Sequence, residues 1–123
     1  MRGKYYMSDA ERDVMEVLWT FPEGVNQSVL LKAVNAAGKD WKRQTLNTFI
    51  TKLMEKGLVN RENRHVCAAM NKQVYSNLQV EEVVKEVYDG KFSNLVLAFA
   101  NDKKITEEDK EELEKLLAMY EME

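Results

Sequence analysis

One segment of the chain, residues 40–57, carries side chains whose chemistry suits DNA. Arginine pairs with guanine, asparagine and glutamine pair with adenine, and lysine and threonine contact phosphates. Six such residues share one face at helical spacing: Arg43, Gln44, Asn47, Thr48, Thr51 and Lys52. No carboxylate occurs between Arg43 and Glu55. The pattern indicates a helix that reads the major groove, although a polar outer face is also what ordinary solvation produces.

The opposite face of the same helix is apolar and must lie against a core. Its residues follow at positions i, i+3, i+4, i+7 and i+8, which is the spacing of a buried helical stripe. They are Leu46, Phe49, Ile50, Leu53 and Met54. Gly57 favours a left-handed stop after the last turn. A buried stripe of this kind determines which side chains of the helix project outwards.

Two shorter helical patterns precede this segment. Ser8-Asp9-Ala10-Glu11 is a capping box, and its helix is expected to end at Pro22-Glu23-Gly24. Its apolar stripe is Ala10, Val14, Val17, Leu18 and Phe21. Asn26 can cap a second helix that runs to Ala37, with Gly38 as its stop. The inward residues of that helix are expected to be Leu30, Ala33, Val34 and Ala37. The short turn that follows favours a helix-turn-helix.

After Gly57 the apolar spacing changes from helical to alternating. Leu58 and Val59 begin a strand, residues 62–65 form a tip, and a return strand extends towards Met70. A short strand is also expected at Val25. Three helices with a β-hairpin predict a mainly α, winged helix-turn-helix domain over residues 1–78. Its predicted DNA-binding residues are Lys42, Arg43, Gln44, Thr45, Asn47, Thr48, Thr51, Lys52, Arg61, Arg64 and His65.

Residues 79–123 carry three further helical patterns that are expected to form a dimerisation domain. The first begins at Val80 and ends at Asp89-Gly90, and the last is capped by the segment Ile105-Thr106-Glu107-Glu108-Asp109. Three short helices with this much apolar surface cannot bury it among themselves. The simplest partner is a second copy, and the alternative is packing onto the winged domain of the same chain. The predicted dimerisation residues are Val83, Val87, Phe92, Leu95, Val96, Phe99, Leu113, Leu116 and Leu117.

The charge is divided unevenly along the chain. The net charge of −3 argues against DNA binding only when it is taken as a whole. Residues 1–78 hold twelve Lys and Arg against eight Asp and Glu, a net +4, whereas residues 79–123 hold six against thirteen, a net −7. The basic part carries the polar helix, and the acidic part is expected to lie away from phosphate.

Composition argues against several other classes of protein. Cys67 and His65 are each the only residue of their type, so neither an intrachain disulfide nor a metal site is expected. No Gly-rich phosphate loop or nucleophile with a neighbouring base is present, so neither a cofactor nor an enzyme is expected. The sequence shows no apolar run of membrane-spanning length and no signal peptide. A cytoplasmic protein without membrane binding is predicted.

The order and spacing of these segments resemble the penicillinase-repressor (BlaI/MecI-type) family of winged-helix transcriptional repressors. The opening helix matches at Ser8-Asp9-Ala10-Glu11, Val14-Met15 and Leu18-Trp19. The polar helix matches at Trp41, Thr45, Leu46, Thr48, Leu53 and Lys56-Gly57. The tail matches over residues 92–99, at Ile105-Thr106-Glu107-Glu108 and at Leu113.

The resemblance implies a homodimer that binds a palindromic double-stranded DNA operator and silences β-lactam-resistance or stress genes. In relatives that govern β-lactam resistance, a membrane sensor metalloprotease leads to a cut inside the helix that here contains Ala98-Phe99. Phe99 is expected to be buried there. The chain has Ala98 where cleaved relatives have Asn, and Lys42-Arg43-Gln44-Thr45 where the family has Ser/Thr-Pro-Lys-Thr. It also lacks the C-terminal cysteines of the copper-responsive branch.

A competing interpretation keeps the same fold but assigns no operator. In it, the winged helix is a protein-interaction module. The salt dependence of DNA binding separates the two, because a DNA-binding protein that contacts phosphates loses affinity linearly in log salt.

Overall fold

We describe residues 3–120 from a computed structural model. Within them, helices and short strands follow the order α1 (Asp9–Leu18), β1 (Val25–Asn26), α2 (Gln27–Ala36), α3 (Arg43–Glu55), β2 (Val59–Glu62), β3 (His65–Ala68), α4 (Lys72–Val87), α5 (Phe92–Asn101) and α6 (Glu107–Met119). The predicted fold class, a mainly α winged helix followed by a helical tail, is confirmed. Among residues 3–120, none of the helices combines the length and the hydropathy that a membrane span requires.

The chain separates into two compact units between Gln79 and Val80. The first unit contains α1, α2, α3, the three strands and the start of α4. The second contains the rest of α4 together with α5 and α6. The functional division predicted at residues 78 and 79, into a DNA-binding and a dimerisation domain, stays a prediction.

The predicted caps of the first two helices are present. The Glu11 backbone N–H donates to Ser8 Oγ over 3.2 Å, and the Ser8 N–H donates to Glu11 Oε1 over 3.1 Å. Asn26 Oδ1 accepts from the Ser28 N–H over 2.9 Å. The prediction that the first helix continues through Phe21 is wrong, because α1 ends at Leu18. Pro22 disfavours helical geometry for the residue before it, and the chain leaves the helix earlier.

The core of the first unit lies between its helices and the sheet. The largest fully buried side chains come from α1, α2, α3, the residue before β2, and β3: Val14, Met15, Leu18, Leu30, Val34, Leu46, Ile50, Leu53, Leu58 and Val66. Burial of Leu46, Ile50 and Leu53 confirms the predicted inner stripe of α3. The expectation for Ala37 is wrong, since it follows the end of α2 and is exposed.

The three strands form an antiparallel sheet in the order β1, β3, β2. Val25 pairs with Val66, and Arg61 also stands opposite Val66 on the other side of β3. The hairpin turn is shorter than the predicted tip, because only Asn63 and Arg64 lie between the strands. Both have positive φ, of 50° and 69°, as a two-residue type I′ turn requires. The β2–β3 hairpin is the wing.

The helix expected to begin at Val80 begins at Lys72 instead. Asn71 Oδ1 accepts from the Val74 N–H over 2.9 Å and so caps the first turn. Tyr75 is buried in the first unit, with its ring 5.5 Å from that of Trp19. Asn71 is the start signal that the apolar pattern of the sequence did not reveal.

The second unit is built from helices whose apolar faces are open. The predicted cap of the last helix is present, since Thr106 Oγ1 accepts from the Asp109 N–H over 3.0 Å. No side chain of the two described helices α5 and α6 is buried. Phe99, expected to be buried, is 49% exposed in the single chain.

Candidate nucleic-acid interface

The turn between α2 and α3 is held by one side chain. Asn35 Oδ1 accepts from the Trp41 N–H over 2.9 Å, and its Nδ2 donates to the Trp41 carbonyl over 3.0 Å. The Trp41 ring packs on Phe49 with a centroid distance of 4.9 Å. These contacts join the start of α3 to the end of α2. The outward direction of the α3 polar face therefore depends on α2 as well as on the core.

A groove of about 520 Å³ runs along the outer face of the first unit. It lies between the start of α2, the first half of α3 and the wing. The residues that line it are Asn26, Gln27, Ser28, Arg43, Gln44, Leu46, Asn47, Thr48, Arg61 and Arg64. None of these described lining residues is acidic, and three are arginines. The groove therefore presents cationic and amide groups together.

Three side chains form a hydrogen-bonded cluster in this groove. Arg61 Nη1 donates to Asn47 Oδ1 over 2.6 Å and to Gln27 Oε1 over 3.2 Å. Gln27 Nε2 lies 3.5 Å from Asn47 Oδ1 and donates to the same oxygen. We call Gln27, Asn47 and Arg61 the amide–arginine cluster. It joins one residue each of α2, α3 and β2.

The wing is also tied to the first unit through its backbone. The Gln27 N–H donates to the Arg64 carbonyl over 2.8 Å. His65 Nε2 lies 2.9 Å from the Glu23 carbonyl, and a carbonyl can only accept, so the ring nitrogen is the donor. Gly24 lies against this strand at φ +83°, where an added Cβ would come within 2.5 Å of His65 Nε2. The wing is thus fixed at its turn and at the start of β3.

The predicted DNA-binding residues do not all lie in the groove. Arg43, Gln44, Asn47 and Thr48 line it from α3, and Arg61 and Arg64 line it from the wing. Thr48 Oγ1 also donates to the Gln44 carbonyl over 3.0 Å. Outside its lining are Lys42, Thr45, Thr51, Lys52 and His65. All five are exposed, as a phosphate contact at the rim would require.

Asn26, Gln27 and Ser28 line the groove although sequence reasoning did not select them. Ser28 Oγ donates to Asn26 Oδ1 over 2.7 Å, so these polar groups also organise the start of α2. The only signal for them in the sequence is the capping position of Asn26. Their closeness to α3 depends on the helix-turn-helix crossing, which residue spacing along one helix does not give.

A partly buried ion pair supports the opposite end of α3. Lys56 Nζ donates to Glu11 Oε2 over 2.7 Å, to Oε1 over 2.9 Å and to the Tyr6 carbonyl over 2.8 Å. Burial acts to raise the pKa of Glu11, but the hydrogen bonds from Lys56 and Ser8 outweigh it and hold the pKa below 4.5, its ordinary value. The carboxylate is ionised at neutral pH and anchors α1 to the end of α3.

The second unit has an apolar groove of about 380 Å³ between α5 and α6. Most of its lining is aliphatic or aromatic: Phe92, Leu95, Val96, Phe99, Ile105, Leu113 and Leu116, with Lys104, Asp109 and Glu112. It brings together six of the predicted dimerisation residues. Val83, Val87 and Leu117 are exposed outside its lining.

Ala98 and Phe99 lie in the last part of α5 with their backbone groups paired. The Ala98 carbonyl accepts from the Asp102 N–H over 3.2 Å, and the Phe99 carbonyl accepts from the Lys104 N–H over 2.9 Å. Their peptide bond is therefore part of folded helix.

Comparison with known proteins determines the family. The model for the penicillinase repressor matches residues 7–119. The chain belongs to the penicillinase repressor family. It is 27% identical over 121 residues to the methicillin resistance regulatory protein MecI of Staphylococcus aureus strain N315, an alignment that covers 92% of this chain and 94% of the relative. The MecI proteins of Staphylococcus epidermidis and Mammaliicoccus sciuri are 27% and 26% identical, with the same coverage.

Members of the penicillinase repressor family are DNA-binding transcriptional repressors, and this chain is one of them. The match extends through both units, because residues 7–119 include every helix and strand from α1 to α6. Family membership assigns the activity and leaves open which side chains contact DNA.

Proposed function

We propose that the chain is a homodimeric repressor that binds a palindromic operator with α3 in the major groove and the wing against the DNA backbone. The observation that carries this proposal is the groove lined by Arg43, Asn47, Arg61 and their neighbours. Guanidinium and amide groups are the side-chain groups that pair with base edges. Within the described lining, no carboxylate would repel phosphate.

The contacts divide into two kinds. Arg43, Gln44, Asn47 and Thr48 face base edges, since they lie on the outer side of the first half of α3. Phosphate is contacted by Arg64 of the wing and by the exposed residues outside the lining of the groove, which are Lys42, Thr45, Thr51, Lys52 and His65. For His65 the available ring nitrogen is Nδ1, because Nε2 is bonded to the Glu23 carbonyl.

Dimerisation is supported by the apolar surface of the second unit. Phe92, Phe99 and Leu116 are exposed side chains that meet along one groove. Exposed apolar patches of this kind commonly mark protein–protein contacts. A second copy of the chain covers this surface, and a two-fold dimer matches a palindromic operator because each α3 then meets the same half-site.

The genes under control are those of antibiotic resistance, β-lactam resistance first. This proposal is supported by the name of the MecI relatives, which describes them as methicillin resistance regulatory proteins. The signal for release is transmitted by a membrane sensor metalloprotease and ends in a cut at Ala98-Phe99. The cut would remove α6, with Leu113 and Leu116, from the DNA-binding unit. Because the bond lies in folded helix, opening of α5 must come first.

Release can be tested by expressing the chain with a sensor metalloprotease, adding a β-lactam and measuring fragment masses. Cleavage predicts two fragments that meet between Ala98 and Phe99. Dissociation of the uncut, full-length chain from DNA would contradict proteolysis. The comparison is a Phe99→Pro chain made without the sensor. Proline disrupts the helix, so this chain should lose dimerisation without being cut.

DNA binding itself is tested by titrating a random-sequence duplex at several salt concentrations. The proposed contacts predict a linear fall of log affinity with log salt, with a slope of about −0.9 for each phosphate contacted. The protein-interaction alternative predicts DNA binding no stronger than the non-specific binding of any protein with a net charge of −3. Lys52→Ala is the variant that should make the slope less steep, by about 1 for each subunit bound.

A further inference from the structure

The side-chain oxygen of Asn47 is already engaged in the free protein. A guanidinium group has donors only, so the Asn47 atom that faces Arg61 must be the oxygen. Arg61 Nη1 donates to it over 2.6 Å, and Gln27 Nε2 donates to it over 3.5 Å. An amide oxygen has two lone pairs, so it can accept from both donors of the amide–arginine cluster. Asn47 therefore presents its Nδ2 donors to the groove.

This orientation matters for the base that Asn47 can read. Bidentate pairing of asparagine with adenine needs a free oxygen to accept from adenine N6 and a donor for adenine N7. Guanine offers only acceptors, N7 and O6, at the same edge. A residue restricted to donating can satisfy guanine and leaves adenine N6 without an acceptor.

We propose that Arg61 and Gln27 are positioning residues that hold Asn47 as a hydrogen-bond donor, so that it reads guanine rather than adenine. The inference rests on the proposed function, because it requires α3 in the major groove. It replaces the adenine pairing expected for asparagine from its residue type alone.

The cluster is built to persist when DNA binds. Arg61 is half-buried, and its Nη1 has a second acceptor in Gln27 Oε1 at 3.2 Å. Hydrogen bonds from a charged donor are shorter and stronger than neutral ones. Gln27 is in turn fixed by its backbone bond to the Arg64 carbonyl. Arg61 also has five N–H donors in total, so it can contact a phosphate without releasing Asn47.

The test is selection from a library of random duplexes with full-length chains. Asn47→Ala identifies the base pair concerned, as the position where preference is lost. Wild type should select guanine there. Arg61→Met frees the Asn47 oxygen and should shift the ratio of adenine to guanine about tenfold towards adenine. Gln27→Met should shift it in the same direction by less, because Arg61 still donates to Asn47.

Arg64→Met is the matched control. It removes the same charge from the same wing, but the Arg64 side chain does not belong to the amide–arginine cluster. It should weaken binding to all sequences alike and keep the preference for guanine. Thermal unfolding of each variant shows whether the wing is intact. If Arg61→Met lowers stability, Gln27→Met still tests the proposal, because Gln27 lies in α2 and not in the wing.

Three results would overturn the proposal. Adenine selected by wild type, or no change of preference with Asn47→Ala, would show that Asn47 does not read guanine. Uniform weakening by Arg61→Met, with a less steep salt dependence and an unchanged preference, would make Arg61 a phosphate contact only and would leave the proposed function standing. Absence of any sequence preference in wild type would remove the proposed function as well.

Discussion

The first unit contains charged side chains in two environments, one exposed and one buried. Arg43 is exposed on α3, where it remains available to a ligand. Glu11 has a side chain only 5% exposed and is ionised because Lys56 faces it. The first kind can act in binding and the second stabilises the fold. The sequence gives both residue types but not their burial.

Glu11→Gln should lower the free energy of unfolding by about 1–3 kcal/mol at pH 7, because it leaves the Lys56 ammonium without its carboxylate. Lys56 is 30% exposed, so water offsets part of the loss. Since folding holds the pKa of Glu11 below 4.5, its contribution is present above that pH and is lost as pH falls through the folded pKa. Chemical denaturation at a series of pH values between 3 and 7, about one unit apart, measures both effects.

The control for this prediction is Glu16→Gln. Glu16 pairs with Lys72 over 2.9 Å, but both side chains are exposed, so the expected cost is below about 1 kcal/mol. Equal pH dependence in Glu11→Gln and wild type would show that Glu11 is not the titrating group.

Arg43→Ala should weaken operator binding by about 1–3 kcal/mol for each half-site and relax preference at one base pair, because a bidentate pair with guanine is lost. Unfolding should be unchanged, since the side chain is exposed. Competition binding against single-base variants of the operator measures it. Lys52→Ala is the comparison, expected to weaken all sequences equally. If Arg43→Ala behaves in the same way, Arg43 contacts phosphate.

At the scale of elements, the wing depends on one close approach between backbone segments. Gly24 lies so near β3 that only glycine fits at this position. A Cβ added there would lie 2.7 Å from the Val66 carbonyl oxygen. The turn before β1 and the return strand therefore define each other's position. The wing in turn holds Arg61 over α3.

Gly24→Ala should destabilise the first unit by about 2–4 kcal/mol, through strain at positive φ together with overpacking. Gly57→Ala is the matched control, because its φ of +78° is close to the +83° of Gly24 while the nearest atom is 4.0 Å away. Only the φ strain, about 1 kcal/mol, is expected there. Thermal unfolding of the two variants measures the difference. Equal losses would mean that β3 moves aside without cost.

Helix starts that are marked by a capping residue could be predicted from the sequence. Contacts between residues far apart in the chain could not. The capping residues Ser8, Asn26 and Thr106 mark helix starts that the structure has, because a cap acts within one turn. Asn71 caps α4 in the same way, but the alternating residues before it suggested a strand. The Arg61 contact with Asn47 joins residues from different elements, and no spacing along the chain predicts it.

At the scale of the whole molecule, apolar surface and basic surface belong to different units. The groove with Arg43 and Arg61 is in the first unit, and the groove with Phe99 and Leu116 is in the second. The sequence predicted this separation from charge and apolar spacing. It named Phe99 as a dimerisation residue that is expected to be buried, and this stays a prediction, because periodicity shows which face of a helix is apolar and not what covers it.

Leu116→Glu should convert the proposed dimer to monomer at micromolar concentration. Leu116 is 49% exposed in the single chain, so glutamate costs little there, whereas at a dimer contact it would bury an unpaired charge. Val29→Glu on α2 is the control, since Val29 is 44% exposed but lies in the first unit. Sedimentation velocity distinguishes them. A wild-type chain that sediments as a monomer would contradict the dimer.

The most direct test of the central claim is the sequence that the full-length chain selects from random duplex DNA. A dimer that presents two copies of α3 predicts an inverted repeat, with half-site centres about 10 base pairs apart or a multiple of that spacing. Arg43→Ala should change one base pair in each half-site symmetrically. A selected pool without any enriched motif, or with a motif that lacks the repeat, would contradict the account.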